Sequence, residues 1–348
     1  MKFSIIGAGF FGLSVAIKIK EKYPRSEVIV FEKEKDILMG ASGKNQFRCH
    51  QGYHYPRSEK TIEECKTSFK EFNKYFSDCY IKSENYYAIS KKNSLTSFDQ
   101  YLKILKKNNL KFKISNHKLL KKENIEGAII ADEKLINIFL IKKRFKEIIK
   151  RLGIKIVLNK KISINENFIK NYDNVFMCTY DNNNNNLKYF KSSKKKYYYQ
   201  LVEKIITKTP NEFNNKSFVI LDGPFMCIDP YYKNNLSILG SVKNSVIKTT
   251  NSKYHNFEKI YKNINSKYLH YLPNLKFPKI KQSFENYLNG FDKTQYYKSF
   301  VVVRCTIKNT NDERVTKVST NKNIFKIYSG KWISCMETAN NILKKFDI

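Results

Sequence analysis

Three glycines and one carboxylate near the start of the chain have the types and spacing that hold a phosphate-linked dinucleotide. Gly7, Gly9 and Gly12 form a G-x-G-x-x-G run with Phe10 and Phe11 inside it, and Glu32 follows twenty residues after the last glycine. Gly7 permits a tight turn, Gly9 lets the backbone approach a pyrophosphate, and Gly12 lets a helix pack closely on a strand. Glu32, with Lys33 beside it, is placed to accept the hydroxyls of an adenosine ribose.

For those residues to meet, a strand must deliver the turn and a helix must leave it. The apolar run Met1–Ile6 reads as a buried strand, Leu13–Lys18 starts a helical pattern, and Val28–Phe31 is a second strand ending at Glu32. The positive end of the helix would then face the phosphates. Strand, motif, helix, strand and acid in register are far more specific than three glycines alone. A Met-Lys start followed by apolar residues also suits a signal peptide, but no small-residue cleavage site follows, and the acid-ended strand argues against one.

Composition bounds the rest. A chain of 348 residues can bury a large core, as one elaborate domain or two. No apolar stretch approaches the length that spans a bilayer, so no transmembrane segment is expected. The seven cysteines (49, 65, 79, 178, 227, 305 and 335) are widely spaced and form no CxxC, which leaves no zinc ribbon, no dithiol motif and no expected metal. Reduced thiols suit a cytoplasmic protein. The formal net charge is +34, yet only seven of the 65 basic residues are Arg. Lys, Asn and Ile rise together, as AT-rich codons make them do. The sharper reading of the charge is a surface for nucleic acid or anionic lipid. Phosphate recognition usually draws on Arg, and no nucleic-acid recognition motif is present, so no specific nucleic-acid partner is expected.

The choice between a flavin and a nicotinamide turns on the next segment. Of twelve glycines, only Gly7 and Gly9 are spaced as G-x-G, so there is one dinucleotide fingerprint. Residues 38–58 carry Gly40, Ser42, Gly43, Asn45, Gln46, His50, Gly52, Tyr53, His54 and Tyr55. Such a density of glycine, amide, imidazole and phenol suits a chain running along a flavin. The whole pattern resembles the D-amino-acid oxidase superfamily of FAD enzymes. Ser42-Gly43-x-Asn45, followed by His50-x-Gly52 and Tyr55, is most similar to its L-2-hydroxyglutarate dehydrogenase branch. Residues 173–180 resemble the strand that closes the FAD domain there, with Tyr180 in place of the usual glycine. Val303-Arg304 with Asp312-Glu313-Arg314 resembles a late R…D-x-R segment, and Ser329-Gly330-Lys331 precedes the last helix. The resemblance implies bound FAD, a small-molecule substrate, and oxygen or a quinone as electron acceptor.

Oxidising an amine or alcohol carbon requires a handle for the substrate, positive charge near the reduced flavin and, for an alcohol, a base. His50 is the base candidate within the flavin-adjacent segment; the alternative is a hydrogen-bonded structural imidazole. His54 reads as a loop residue. Arg304 is the carboxylate clamp or else a salt-bridge partner of Asp312 or Glu313, with Arg48 and Arg57 as runners-up. Tyr55 and Tyr53 donate to a substrate carboxylate or pack against it. Gly52 would let the backbone approach the flavin ring. Gly330 and Lys331 would face the flavin C2=O, with Lys331 as solvated surface the alternative. The expected reaction is hydride transfer to flavin N5 from the Cα of a small amino acid, amine or 2-hydroxy acid. The alternatives are an FAD enzyme of a sugar or larger biosynthetic intermediate, and a basic nucleic-acid-binding or RNA-modifying flavoprotein.

The expected fold is α/β: a discontinuous Rossmann-like FAD-binding domain (1–80, 128–190 and 300–348) and a mainly antiparallel β-sheet substrate domain (81–127 and 191–299). Helices are predicted near 59–76, over 98–107 and over 135–151, and an amphipathic helical stretch over 253–289. Strands are predicted at 80–82, 85–89, 128–130 (returning toward the cofactor domain), 154–158, 197–203, 217–221, 299–305 and 324–328, and residues 221–225, 229–231 and 238–242 resemble strands of the family's substrate domain. The asparagine run 182–186 reads as a solvated loop.

Overall fold

The computed structural model describes residues 1–189, 196–223, 225–257, 276–307 and 312–345. Lys2–Ile6 is the middle of a six-stranded sheet, lying parallel to Glu27–Phe31 on one side and to Asn174–Met177 on the other. Lys155–Val157 extends the sheet beyond Glu27–Phe31, and the hairpin Lys317–Asn321 and Ile324–Tyr328 extends it at the opposite edge. The helix Phe10–Lys22 follows the glycine turn directly and packs on Cys335–Lys345 and Ile138–Leu152. A buried aromatic cluster fixes its start. The Phe10 ring stacks on Trp332 at 4.9 Å, with Phe145 and Phe72 at 5.9 and 6.4 Å. Each such side chain, fully buried, contributes about 1.5–3 kcal/mol. The glycine turn therefore rests on a rigid support.

Capping residues set the helix bounds. Glu59–Phe76 starts where Ser58 caps Thr61, and Phe98–Lys107 starts at a Ser97–Gln100 capping box. The helix expected from Leu135 begins instead at Ile138. Asn137 accepts from the Phe139 and Leu140 N–H groups, and Leu135 and Ile136 belong to the strand Lys134–Ile136. That strand joins Arg48–Cys49 and Tyr80–Ile81 in a three-stranded sheet. Gly153, at φ +66°, ends the helix.

The larger sheet has nine strands, with Tyr197–Lys208 as its longest shared ladder. Two of its members depart from the sequence reading. Ile125–Ala131 pairs antiparallel with Glu84–Ser90, and Gln295–Thr306 runs along Tyr197–Lys208. Residues 128–131 and 300–306 therefore hydrogen-bond in the larger sheet rather than in the dinucleotide-binding one. Apolar alternation identifies a strand but not its ladder partner, which is chosen by distant residues.

Three further expectations change. The strand expected to run through Phe225 stops at Leu221, because Asp222 and Phe225 adopt positive φ and turn the chain; Pro224 lies outside the described residues. Of the helical stretch 253–289, residues 258–275 (with Pro273) lie outside them, and Phe277–Glu285 is a helix with Pro278 in its first turn. Asn183 and Asn184, in the middle of the asparagine run, are not solvated. Asn183 and Asn184 are 1% exposed, and Asn183 donates to Ile327 O while its Oδ1 accepts from the Thr179 N–H and hydroxyl. Within a 3-10 turn, short amides satisfy buried backbone groups that would otherwise be orphaned.

All seven cysteines are free thiols, and burial raises the pKa of each. Among the described residues no helix is long and apolar enough to cross a membrane, and no three His, Cys, Asp or Glu side chains converge as a metal site.

Candidate active site

One cavity of about 1380 Å³ runs from the glycine turn and Glu32 to the face of the large sheet at Val202, Val302 and Arg304. Ligand pockets commonly occupy about 300–1,000 Å³, so this volume accommodates a dinucleotide and a second small molecule.

The N-terminal end is a backbone cradle. Gly7 has φ +102°, and a Cβ there would lie 2.6 Å from Cys178 O; one on Gly9 would lie 2.8 Å from Ser42 Oγ. Gly12 serves packing, since its Cβ would meet Gly7 O at 1.9 Å, and it does not line the cavity. The Phe10 N–H at the helix start donates to Ser42 Oγ at 3.1 Å, and Phe11 lines the same wall. Glu32 accepts from the Ala8 N–H at 2.7 Å and the Glu34 N–H at 3.0 Å. Those bonds orient the carboxylate and leave lone pairs for ribose hydroxyls. Lys33 lies on the same wall. Asn45 donates to Ala41 O and Ser42 O and accepts from the Phe47 N–H, folding its loop back on itself at the cavity edge. Gly-rich turn, helix start and strand-end acid thus fit an adenine dinucleotide.

The deeper end gathers groups with unmet polar atoms. The Tyr55 hydroxyl, His50 Nδ1 and His54 Nδ1 are buried without a hydrogen-bond partner, and all three residues line the cavity. The His50 ring lies 4.9 Å from His54 and 5.3 Å from Tyr55. His54 is therefore a wall residue rather than a loop residue. Burial, and then the Lys331 charge, lowers His50 to about 4; the Glu133 carboxylate, 3.7 Å away, opposes this. His54 is lowered as well, by burial first. Both imidazoles are neutral at pH 7. Lys331 stands 4.4 Å over the Tyr55 ring, and burial lowers it to about 7. It is not a solvated surface lysine. The Gly330 N–H donates to Thr316 Oγ1 at 3.2 Å, so that donor is already engaged.

Arg304 pairs with neither Asp312 nor Glu313. Its Nε donates to Gln200 Oε1 at 2.8 Å, and burial lowers it to about 10. Among the described residues no carboxylate makes an ion pair with it. The runners-up are committed elsewhere. Arg48 is fully buried on Glu133 and Asp229, with Ser217 and Tyr87 around it, and Arg57 bridges Asp222 and Asp312. Tyr53 donates to Lys111 O at 2.6 Å, away from the cavity. Gly52, at φ +119°, faces Ile62, where a Cβ would approach to 2.8 Å; it seats the helix Glu59–Phe76 and leaves the cavity wall to its neighbours. Tyr180 keeps a left-handed φ of +50° without being glycine, and its hydroxyl bridges the N–H and C=O of Cys305.

Sequence reasoning missed Glu133, which receives Arg48, Tyr87 and the Gln51 N–H. No motif surrounds it. It also missed Lys204 and Trp332 as wall residues.

A mainly parallel sheet bearing a phosphate turn, joined through one cavity to a large, mainly antiparallel sheet, defines a dinucleotide-dependent enzyme. Residues 2–179 match the DAO family model, described as FAD dependent oxidoreductase, and the chain belongs to that family. FAD is its cofactor. Among curated relatives, an FAD-dependent monooxygenase, FPY4, of Fusarium mangiferae is 34% identical over 98 residues, 28% of this chain and 26% of that protein. An L-2-hydroxyglutarate dehydrogenase of Indibacter alkaliphilus is 31% identical over 67 residues, 19% of this chain and 17% of its own length. The chain thus matches about a quarter or less of these relatives' lengths. Among solved structures, an L-proline dehydrogenase from P. horikoshii superposes with a TM-score of 0.70 at 13% identity, covering 99% of this chain and 93% of its own. A glycine oxidase from Geobacillus kaustophilus gives 0.70 at 10% identity, covering 99% and 94%. At such identities the likeness concerns the fold.

Proposed function

We propose that the protein oxidises the Cα of a small amino acid, amine or 2-hydroxy acid, holding an acidic substrate through Arg304. The observation that carries this reading is an accessible guanidinium in the cavity with no carboxylate partner among the described residues. A desolvated cation of this kind gains most from an anionic ligand, and its planar fork suits a carboxylate. Gln200 holds Arg304 at Nε and Val242 O accepts from its Nη2 at 3.5 Å, which leaves the remaining N–H groups of the guanidinium for a substrate carboxylate. Bound FAD would supply the two-electron acceptance that this oxidation needs, with oxygen or a quinone as the final electron acceptor.

The chain's own residues would do the rest. Lys331 would place positive charge beside the flavin pyrimidine edge. His50, neutral at pH 7, can accept the O–H proton of an alcohol substrate, and the Tyr55 hydroxyl is free to donate to the substrate. An action on a sugar or on RNA gives no reason for a guanidinium that lacks a carboxylate partner among the described residues at the sheet floor. The test is anaerobic bleaching of the flavin by a panel of 2-hydroxy acids, amino acids and amines. An acid in the panel should bleach it, and Arg304→Ala should raise KM for that acid roughly ten- to hundred-fold, as expected for a charged hydrogen bond of about 1.5–3 kcal/mol, with FAD content intact. An unchanged KM removes Arg304 from the site.

A further inference from the structure

Two cations on one face of the large sheet lack a carboxylate partner among the described residues, and the reading above uses only one. Lys204 belongs to Tyr197–Lys208 and Arg304 to its antiparallel neighbour Gln295–Thr306. Gln200 stands opposite Arg304, Val202 opposite Val302 and Lys204 opposite Phe300. Side chains two apart along a strand share a face. Arg304, Val302, Val202 and Lys204 therefore share one face, and all four line the cavity. From residue 200 to residue 204 the strand advances about 13 Å.

Lys204 is held, not solvated. Its ammonium donates to Gln46 Oε1 at 3.0 Å. Gln46 is itself fixed, because its Nε2 donates to Ile238 O at 2.9 Å. A Cβ on residue 240 would come within 2.8 Å of the same Gln46 oxygen, so the amide sits there only because residue 240 is Gly. One neutral acceptor leaves two of three ammonium donors for a ligand. Asp229, whose charge reaches Lys204, is engaged by Arg48 and Ser217. Burial lowers the Lys204 ammonium below its ordinary value, and the Arg304 charge pushes the same way. A desolvated cation with no ion-paired carboxylate among the described residues is costly, and an anion bound beside it offsets that cost.

Resting on the oxidase reading above, we infer that Lys204 recognises a second carboxylate on the substrate. The substrate is then a short dicarboxylate, held at one end by Arg304 and at the other by Lys204, with Val202 and Val302 against the carbons between. One lysine with one neutral amide balances a single negative charge, which suits a carboxylate better than a doubly charged phosphate.

The test is ligand binding to the FAD-loaded protein, read by perturbation of flavin absorbance and by the shift in Tm. Succinate or glutarate should bind at least ten-fold more tightly than butyrate. The ratio should fall toward one in Lys204→Met and persist in Lys204→Arg, with FAD content verifying that each variant is folded; Lys204→Gln replaces Lys204→Met if the latter does not hold FAD. Equal affinity of the wild-type protein for mono- and dicarboxylates overturns the inference, as does a preference that survives loss of the ammonium. Binding needs no turnover, so the inference is judged even if no acid bleaches the flavin, the result that sinks the oxidase reading. Conversely, bleaching by monocarboxylates without any dicarboxylate preference keeps that reading and removes Lys204 from recognition.

Discussion

Replacing Glu133 with Gln should destabilise the protein by an amount the buried network fixes. The carboxylate is inaccessible, accepts from Arg48, Tyr87 and the Gln51 N–H, and lies 3.7 Å from His50. Burial alone would raise its pKa, but the hydrogen-bonding and charged groups around it, His50 and Arg48 foremost, win and lower it from 4.5 to about 2. A carboxylate depressed in the folded state stabilises that state above its unfolded pKa, and the contribution is lost as pH falls from about 4.5 toward 2. At about 1.4 kcal/mol per pH unit, the contribution at pH 7 is roughly 3 kcal/mol. This agrees in size with the ~3–5 kcal/mol lost when a buried ion pair is broken from one side. An unfolding entropy of about 2.1 cal/mol/K per residue converts this to a fall in Tm of about 4 °C for a chain of this length. Glu133→Gln mimics the protonated side chain, so the deficit should be present at pH 7, should shrink as pH falls below about 4.5 and should close near pH 2. The assay is thermal unfolding of wild-type and variant protein across that range, followed by circular dichroism. The double variant Arg48→Met/Glu133→Gln should lose less than the sum of its parts. A Tm within 1 °C of wild type at pH 7, or a gap that widens in acid, refutes the reasoning.

Three other outcomes follow from the same structure. Gly9→Val should purify as colourless apoprotein, because even a Cβ there crowds Ser42 Oγ at 2.8 Å; a normal flavin content would remove the glycine turn from the site. Lys331→Met should raise the Tm of FAD-free protein more at pH 6 than at pH 9.5, since a lysine lowered to about 7 opposes folding fully below that value and less as pH rises toward 10.5. An equal gain at both values would show that Lys331 is not desolvated. Asn183→Ala should cost about 2 kcal/mol, roughly 3 °C in Tm, by orphaning Ile327 O and the Thr179 N–H, whereas a solvated loop residue would cost nothing measurable.

What the sequence alone determined lies where chemistry is local. The strand–turn–helix of residues 2–22, the acid at Glu32 and the helices 59–76 and 98–107 depend on short-range sterics and caps, so their residue types announce them. The cavity's far wall was decided by tertiary structure. Glu133, Asp229 and Arg48 meet only because three separate segments close on one buried point, and no spacing rule encodes that meeting. Arg48 and Arg304 looked alike as clamps; burial against two carboxylates committed one, and the ladder to Gln200 left the other without a carboxylate partner among the described residues. Gly52 and Gly12 carry the composition of cofactor contacts, yet their missing Cβ atoms make room for Ile62 and Gly7 O. The asparagine run has the composition of a loop, but Asn183 and Asn184 lie buried, and the Asn183 amide answers a backbone carbonyl brought in from Ile327. Local propensity is written in neighbours along the chain, whereas charge pairing and burial depend on neighbours in space, which only the folded chain supplies.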